Sequence, residues 1–344
     1  MAKGKQPPRK SLFSIPFFVA FAVLCWMVYK NGAKWLRSIL IYLSHAKWAR
    51  NLVTGFPLSK QVSSRFVAGE TIEEAVDAAQ TLNDQGMAAT LDFLGESVTD
   101  KGVARACADE IISLLESIDA AGVNSNVSVK LSQLGLRIDP QLALENMRQI
   151  LTHAKSYGNK VRIDMEESEL VDVTLSLYRT LRDEDGFDNV GVVIQAYLFR
   201  SADDVRRLVE EGAWVRLCKG AYAEPPHIAF PKKADTDANF LKLTRMMLSA
   251  EARENGVYLG IATHDDKMVQ GSLSYVKSES IDVDDFEFQM LYGIRRDLQK
   301  QLVDQGYRVR VYVPYGTAWY PYMVRRLAEH PANLWFFISN FVRM

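Results

Sequence analysis

The sequence predicts an α/β protein built as a (β/α)8 barrel of the TIM type, and three observations support this prediction. After about residue 85, eight short runs rich in β-branched and aromatic residues alternate with longer amphipathic segments of helical periodicity. Such alternation is typical of a parallel sheet whose strands are connected by helices. Nearly every run also ends in a polar residue, and in a closed barrel these ends lie together at one face. An open doubly wound sheet is the alternative that the same alternation allows.

Composition and charge exclude several classes of protein. Of the 344 residues, 48% are hydrophobic and 24% are charged, which is ordinary for a globular protein. The formal net charge of −1 gives no electrostatic indication of a nucleic-acid partner. The cysteines are few, odd in number and widely spaced, which fits a reducing compartment. No spacing of histidine and cysteine suggests a metal, and the glycine fingerprints of Rossmann and P-loop nucleotide sites are missing.

The amino terminus differs in composition from the rest of the chain. Four basic residues precede an apolar run at residues 12–29, which contains no charged side chain. As a helix this run would be about 27 Å long, just short of a typical hydrocarbon core. It predicts a transmembrane or signal-anchor helix, a helix lying on a membrane or partner surface, or an extension that plays no part in the mature protein. Basic residues flank both ends, so they do not fix an orientation.

The chain is therefore expected to have three parts. Residues 1–35 form the basic and hydrophobic N-terminal segment, residues 36–85 a helical arm, and residues 86–344 the barrel. Within the arm, Thr71 and Glu74 have the spacing of a capping box, which predicts the start of a helix.

The strands and helices of the barrel are predicted from their periodicity. The eight predicted strands cover residues 88–92, 127–131, 161–165, 190–195, 214–218, 258–263, 286–289 and 308–313. The predicted helices between them cover residues 104–121, 141–157, 171–182, 202–211, 238–255 and 297–305.

Polar residues at the predicted strand ends form a first candidate site, because catalysis in such barrels takes place at the carboxyl ends of the strands. In chain order they are Asp92, Lys130, Asp164 with Met165, Gln195, Arg216 with Lys219-Gly220-Ala221, Thr263-His264, Gln289 with Leu291, and Tyr312. A polar residue at one strand end would indicate little, but polar residues at the corresponding ends of eight strands favour a shared functional site.

Single members of this set have ordinary alternatives. Lys130 or Lys219 could be a Schiff-base lysine or a solvated charge at a strand end. Asp164 could be a general base, or an ion-pair partner of Arg162 or of a barrel lysine. His264 could bind a cofactor or cap the helix that follows it.

A second candidate site lies near the carboxyl terminus. If a helix begins at Pro321, then Tyr322, Arg325, Arg326 and Glu329 share one face of it. Two adjacent guanidinium groups beside an acid and a tyrosine suit the capture of a small carboxylate, which each guanidinium can bind through two hydrogen bonds. A solvated helix face with an i,i+4 ion pair is the alternative.

Taken together and in order, these motifs resemble those of the proline dehydrogenase family, the flavin-dependent enzymes of proline catabolism. The resemblance covers roughly residues 40–340, and the chain has the compact length of the monofunctional bacterial members. The motifs that carry it are LDFLGE at 91–96, KLSQLG at 130–135, RIDME at 162–166, QAY at 195–197, VRLCKGAY at 215–222, ATH at 262–264, FEFQ at 286–289, YVPYG at 312–316 and the Y-x-x-R-R-x-x-E segment at 322–329.

The resemblance implies a distorted barrel with its final helix over the mouth, and FAD bound without a Rossmann fold. It implies oxidation of L-proline to Δ1-pyrroline-5-carboxylate by hydride transfer to FAD, with the electrons passed to a membrane quinone. Catalytic roles are implied for Asp164, Arg216 and Tyr312. Substrate contacts are implied for Lys130, Leu291, Tyr322, Arg325, Arg326 and Glu329. Cofactor contacts are implied for Met165, Gln195, Arg216, Lys219, Gly220, Ala221, Thr263 and His264.

Location and rival functions follow from the same observations. An enzyme that reduces quinone is expected on the cytoplasmic side of the bacterial membrane, either peripheral or anchored by residues 12–29. A flavoenzyme acting on hydroxyproline or another cyclic imino acid is one alternative. The others are a Schiff-base aldolase using Lys130 or Lys219, and a catalytically silent barrel that serves as a scaffold.

Overall fold

The computed structural model describes residues 64–95 and 97–329, the last five without their side chains. The described residues up to Trp319 form one compact unit, and those from Tyr320 onward belong to a second one. The apolar run at residues 12–29 and the first part of the predicted helical arm lie outside the described residues. Among the helices that the structure describes, none is long and apolar enough to cross a membrane. The division of the chain at residues 35 and 85 stays a prediction.

Eight parallel strands form a closed barrel in which each strand pairs with the next along the chain. They are β1 Ala88–Phe93, β2 Ser125–Val129, β3 Val161–Ile163, β4 Val190–Gln195, β5 Trp214–Cys218, β6 Tyr258–Ala262, β7 Phe286–Leu291 and β8 Val309–Tyr315. The ring closes between β8 and β1, where Ala88 lies opposite Arg310. The predicted (β/α)8 barrel is therefore confirmed, because an open sheet would leave these two strands unpaired.

Several predicted strand ends are wrong by a few residues. Strand β2 ends at Val129 rather than 131, because local hydrogen bonds replace the ladder: the amide of Gln133 donates to Lys130 and that of Leu134 to Leu131. Strand β3 ends two residues earlier than predicted, whereas β7 and β8 each extend two residues further. Such errors are ordinary for sequence-based boundaries.

The described helices are α1 Ile72–Asn83, α2 Lys101–Ala121, α3 Pro140–Ser156, α4 Val171–Arg179, α5 Ser201–Glu210, α6 Lys233–Met247, α7 Ala250–Glu254, α8 Asp266–Ser278, α9 Arg296–Asp304 and α10 Trp319–Glu329. A 3-10 turn at Ser168–Leu170 precedes α4, and a π turn at Thr180–Glu184 follows it. The predicted capping box is present at the start of α1, where Thr71 and Glu74 each accept a hydrogen bond from the other's amide.

Two helix predictions need correction. The segment predicted as one helix over residues 238–255 is two helices, because the Ser249 hydroxyl accepts the amide hydrogen of Ala252 and begins a new one. The last helix begins at Trp319 rather than at Pro321. Proline is tolerated there because the amides of a first helical turn have no partner within the helix.

Candidate active site

Two cationic and two anionic side chains meet at the carboxyl ends of strands β1, β2, β3 and β5. The Lys130 ammonium lies 3.0 Å from an oxygen of Asp92 and 3.5 Å from an oxygen of Asp164. The other Asp164 oxygen accepts a hydrogen bond of 2.7 Å from Nη1 of Arg216. All four side chains are largely buried. Their charges balance, which lowers the cost of keeping them away from water.

Tyr312 connects these charges from strand β8. Its hydroxyl donates to Asp164 at 2.7 Å and lies 3.2 Å from the Lys130 ammonium. The Arg216 guanidinium carbon is 5.0 Å from the centre of the Tyr312 ring, within the range of a cation–π contact. Tyr312 therefore joins three of the four charged groups at the centre of the barrel mouth.

The environment gives the two carboxyl groups different ionisation properties. Burial raises the pKa of Asp92 to about 6, although Lys130 opposes that shift. Burial acts in the same direction on Asp164, but the charges of Arg216 and Lys130 outweigh it and hold its pKa below the usual value. Burial, reinforced by the neighbouring carboxylates, raises the pKa of Tyr312 well above its usual range. At neutral pH, Asp164 is thus an anion that accepts a hydrogen bond from a neutral phenol.

Two buried polar atoms at the ends of β4 and β5 lack hydrogen-bond partners within the described part of the chain. The amide nitrogen of Gln195 donates to the carbonyl oxygens of Met165 and Glu166, but its Oε1 atom has no donor. Arg216 likewise has no acceptor at Nη2. Buried polar groups are normally satisfied, so an unused acceptor and an unused donor on adjacent strands suit a ligand that offers both types of group.

The turn after β5 requires glycine for two reasons. Gly220 has a φ of +105°, and a Cβ atom there would lie only 2.2 Å from the Tyr197 ring. The preceding Lys219 pairs with Asp237 and with Asp265, 2.7 Å from the latter. Ala221 follows as an exposed residue of the same loop. The turn therefore presents a lysine fixed by two carboxylates and a backbone that a ligand can approach closely.

His264 and Thr263 connect the ends of β6 and β7. The Nε2 atom of His264 accepts the amide hydrogen of Leu291 at 2.8 Å, and the Thr263 hydroxyl accepts that of Asp265. The helix α8 is capped by Asp265 rather than by His264. The cofactor roles implied for Thr263 and His264 stay predictions.

Comparison with known proteins assigns the chain to a family. The sequence profile described as proline dehydrogenase matches residues 75–338, which is more than half of the chain. The chain belongs to the proline dehydrogenase family. A proline dehydrogenase of Deinococcus radiodurans is 45% identical over 285 residues, which cover 82% of this chain and 90% of that protein. Proline dehydrogenase 1 of Bacillus subtilis is 41% identical over 308 residues, which cover 90% and 99% of the two chains. The match therefore covers most of this chain and nearly all of both relatives.

Solved structures of larger proteins share the barrel. Proline utilization A from Bdellovibrio bacteriovorus, inactivated by N-propargylglycine, superposes with a TM-score of 0.75 at 24% identity. The match covers 93% of this chain but only 39% of that one. A mutant of proline utilization A from Bradyrhizobium japonicum gives a TM-score of 0.67 at 26% identity. The barrel fold is therefore shared with these proline utilization A structures.

The proline dehydrogenase motif near the carboxyl terminus lies in helix α10. Tyr322 is buried, and the helix continues through the next three positions of the motif to Glu329. The side chains of Arg325, Arg326 and Glu329 lie outside the described ones. The shared face at i, i+3, i+4 and i+7 follows from the continuous helix, whereas the carboxylate-binding role stays a prediction.

Some polar residues of this site were not predicted from the sequence. Ser128 accepts a hydrogen bond from Arg216, and Glu287 accepts one from Gln289. Both lie within strands rather than at their ends, so a search of strand ends passes over them. The available signal was a polar residue two positions before another one, Ser128 before Lys130 and Glu287 before Gln289, since residues with this spacing in extended chain point to the same face. No group of three or more potential ligands that could hold a metal occurs in the described ranges.

Proposed function

We propose that this member of the proline dehydrogenase family oxidises L-proline to Δ1-pyrroline-5-carboxylate by hydride transfer to FAD, and that quinone takes up the electrons. The observation that carries the proposal is the convergence of Lys130, Asp164, Arg216 and Tyr312 at the catalytic face of the barrel. The match to the family over most of the chain supports the same reaction.

The residues at the ends of β4 and β5 fit FAD. An isoalloxazine ring offers both carbonyl acceptors and an N–H donor along one edge, which matches the unused donor of Arg216 and the unused acceptor of Gln195. Met165 positions Gln195 through its carbonyl oxygen, and Lys219, Gly220 and Ala221 would hold the phosphate-bearing part. Thr263 and His264 would contact the adenosine end. When bound, FAD supplies the acceptor for the hydride that leaves the proline carbon next to nitrogen.

The residues of the barrel mouth bind and orient the substrate in this proposal. Lys130, held between two carboxylates, offers a fixed ammonium to the proline carboxylate. Tyr312 and Leu291 lie opposite each other on the adjacent strands β8 and β7, and both pack against the pyrrolidine ring in this proposal. The Arg216 guanidinium would stabilise the negative charge that develops when a hydride is accepted.

The helix α10 contributes the remaining substrate contacts. Arg325 and Arg326 each bind the proline carboxylate, Glu329 orients a guanidinium, and Tyr322 packs against the ring.

The environment of Lys130 argues against the aldolase alternative. A Schiff-base lysine is typically activated by an apolar pocket or by a neighbouring cation, whereas Lys130 lies beside two carboxylates.

The decisive experiment is a visible absorption spectrum of the purified protein before and after anaerobic addition of L-proline. Flavin bands that bleach with proline would establish cofactor, reaction and substrate together. Flavin bands that persist with proline but bleach with hydroxyproline would contradict the substrate assignment. A colourless protein that FAD cannot reconstitute would contradict the whole proposal.

Replacing Arg325 or Arg326 by methionine is expected to raise KM for proline by about tenfold to a hundredfold, because the carboxylate loses a charge-assisted hydrogen bond. Affinity for FAD should change far less, and both are measured by steady-state kinetics and flavin titration. Arg148→Met is the matched control, since this arginine pairs with Asp185 on the outer surface. Unchanged proline kinetics in both test variants would contradict the assignment.

Gly220→Ala is expected to lower the FAD content of the purified protein several-fold, because the new methyl group collides with the Tyr197 ring. Gly158→Ala provides a control for backbone strain alone. Gly158 also has a positive φ, of +62°, but its Cβ would meet open space. Equal FAD content in the two variants, measured by absorbance after gel filtration, would show that the turn does not contact the cofactor.

The proposal also places the protein on the cytoplasmic side of the membrane, through a peripheral contact or an anchor at residues 12–29. Removing residues 1–34 is then expected to leave a flavin-loaded enzyme with dye-linked activity but reduced recovery in the membrane fraction. A truncated protein that loses its flavin would show instead that this segment belongs to the catalytic fold.

A further inference from the structure

The carboxamide of Gln289 links Arg216 to a buried acid deeper in the barrel. Its Oε1 atom accepts a hydrogen bond from Nε of Arg216, and its Nε2 atom donates to Oε1 of Glu287. The side chains of all three residues lie inside the barrel, and each residue is at most 6% exposed. The amide of Gln289 therefore lies between Arg216, which can only donate hydrogen bonds, and Glu287, which accepts one.

Glu287 is held as an anion in this interior. Burial alone would raise its pKa, but the charge of Arg310 and hydrogen bonds from Arg310 and Gln289 bring the pKa below its usual value. Nε of Arg310 lies 2.8 Å and 3.0 Å from the two carboxylate oxygens, and the Tyr258 hydroxyl donates at 3.3 Å. An ionised carboxylate can only accept hydrogen bonds, so it determines which end of the Gln289 amide faces it.

The neighbouring strand is shaped to admit this amide. Gly260 on β6 lies opposite Glu287, and a Cβ atom at position 260 would be 2.4 Å from Nε2 of Gln289. Any larger residue there would displace the amide. Room for Gln289 and a fixed orientation of its amide thus come from two different strands.

We propose that Glu287 and Gln289 form a positioning relay that fixes the plane of the Arg216 guanidinium toward the flavin. Nε of Arg216 donates to Gln289, and Nη1 donates to Asp164 and Ser128. Among the described residues this leaves only Nη2 to donate to a ligand. If the amide turned over, its NH2 group would face the N–H of Arg216 and two donors would oppose each other. The charge of Glu287 prevents that flip. This inference rests on the proposed function, because the relay serves a guanidinium that acts on the flavin.

The first test replaces the amide by an apolar chain of similar length. Gln289→Met is expected to lower kcat about tenfold to a hundredfold, since a small misplacement of a catalytic group has effects of this size. KM for proline should change less than twofold, while the Kd for FAD rises. The control is Asn189→Leu, which also removes a buried amide, one bonded to the carbonyl oxygens of Leu151 and Asn159. We expect it to lower Tm without changing kcat or the Kd for FAD.

The second test uses pH to restore the relay. In Gln289→Glu, the new carboxyl adjoins Glu287, and two neighbouring carboxyl groups tend to share one proton. In the protonated state the pair reproduces the amide, because the O–H donates to Glu287 and the C=O accepts from Arg216. At higher pH the carboxyl group at position 289 also ionises. Its negative charge then repels that of Glu287 and partly cancels the positive charge of Arg216. The ratio of variant to wild-type kcat, and the ratio of their affinities for FAD, should therefore fall as pH rises.

The outcomes separate the relay from a structural role. The relay would be overturned if Gln289→Met lowered only Tm. It would also be overturned if the ratios of kcat and of FAD affinity between Gln289→Glu and wild type did not change with pH.

Failure of the proposed function has a different signature, because proline would then not reduce the flavin of the wild-type protein. In that case the FAD affinities still test the relay. If no FAD binds, a double-mutant cycle of Gln289→Met and Arg216→Met in urea tests it. Additive changes in the free energy of unfolding would overturn the positioning of Arg216 by Gln289, and coupled changes would support that positioning.

Discussion

Arg216→Met is expected to lower the rate of flavin reduction by proline by about a hundredfold to a thousandfold, the range observed when a positioned donor to developing charge is removed. The guanidinium cannot be replaced by solvent, because it is buried between Asp164, Ser128 and Gln289. Methionine retains most of the volume but supplies neither charge nor donor. Anaerobic stopped-flow measurement of the bleaching of the flavin bands gives the rate without interference from the electron acceptor.

The same substitution should also weaken FAD binding, so the two effects must be separated. Measuring the flavin reduction rate at saturating FAD and saturating proline removes the contribution of binding. Arg253→Met is a suitable control, because this arginine lies 3.8 Å from Asp285, outside the network of Arg216. A reduction rate within threefold of wild type would show that Arg216 has no role in stabilising the reduced cofactor.

The sequence alone was sufficient for the barrel and for the members of its polar centre. Periodicity is a local property, and closure of a parallel sheet brings all its carboxyl ends to one face whatever the exact register. Lys130 and Asp164 could therefore be grouped although each lies one residue beyond its strand. An error of a residue or two in strand length does not change which end of the barrel a residue occupies.

The partners inside the barrel required the structure. A polar residue within a strand points either into the barrel or toward the surrounding helices, and the sequence does not state which. Glu287 and Gln289 share a face because they are two positions apart, but only the register shows that this face is the interior, beside Gly260. The pairing of Lys219 with Asp237 and Asp265 also joins the turn after β5 to helix α6 and to the N-cap of α8, which no local pattern predicts.

The balance of charge at the barrel mouth gives each of the two aspartates a stabilising role. Lys130 and Arg216 are two cations close to one carboxylate, and Asp92 supplies the second negative charge. The negative charge of Asp164 contributes to the raised pKa of Asp92, so the two acids are not independent. Removing either acid leaves an uncompensated buried cation, which is more costly than losing one hydrogen bond.

Asp164→Asn is therefore expected to lower kcat/KM for proline by about a hundredfold, although the side chain keeps its shape. Tyr312 and Arg216 donate to different oxygens of Asp164, and the amide nitrogen that replaces one of these oxygens cannot accept a hydrogen bond. The net charge of the centre also rises by one. Tyr312→Phe is the matched comparison, because it removes one hydrogen bond to Asp164 without changing charge. We expect a loss of about tenfold for that variant.

Acid unfolding provides a second, independent measurement for Asp164→Asn. Because its folded-state pKa lies below the ordinary value of 3.8, Asp164 stabilises the fold above that pH and loses this contribution as the pH falls through the folded-state value. The difference in free energy of unfolding between wild type and variant should thus be largest near neutral pH and shrink below about pH 4. A difference independent of pH would mean that the ion pairs of Asp164 do not stabilise the barrel. Unchanged kcat/KM would remove Asp164 from the catalytic centre.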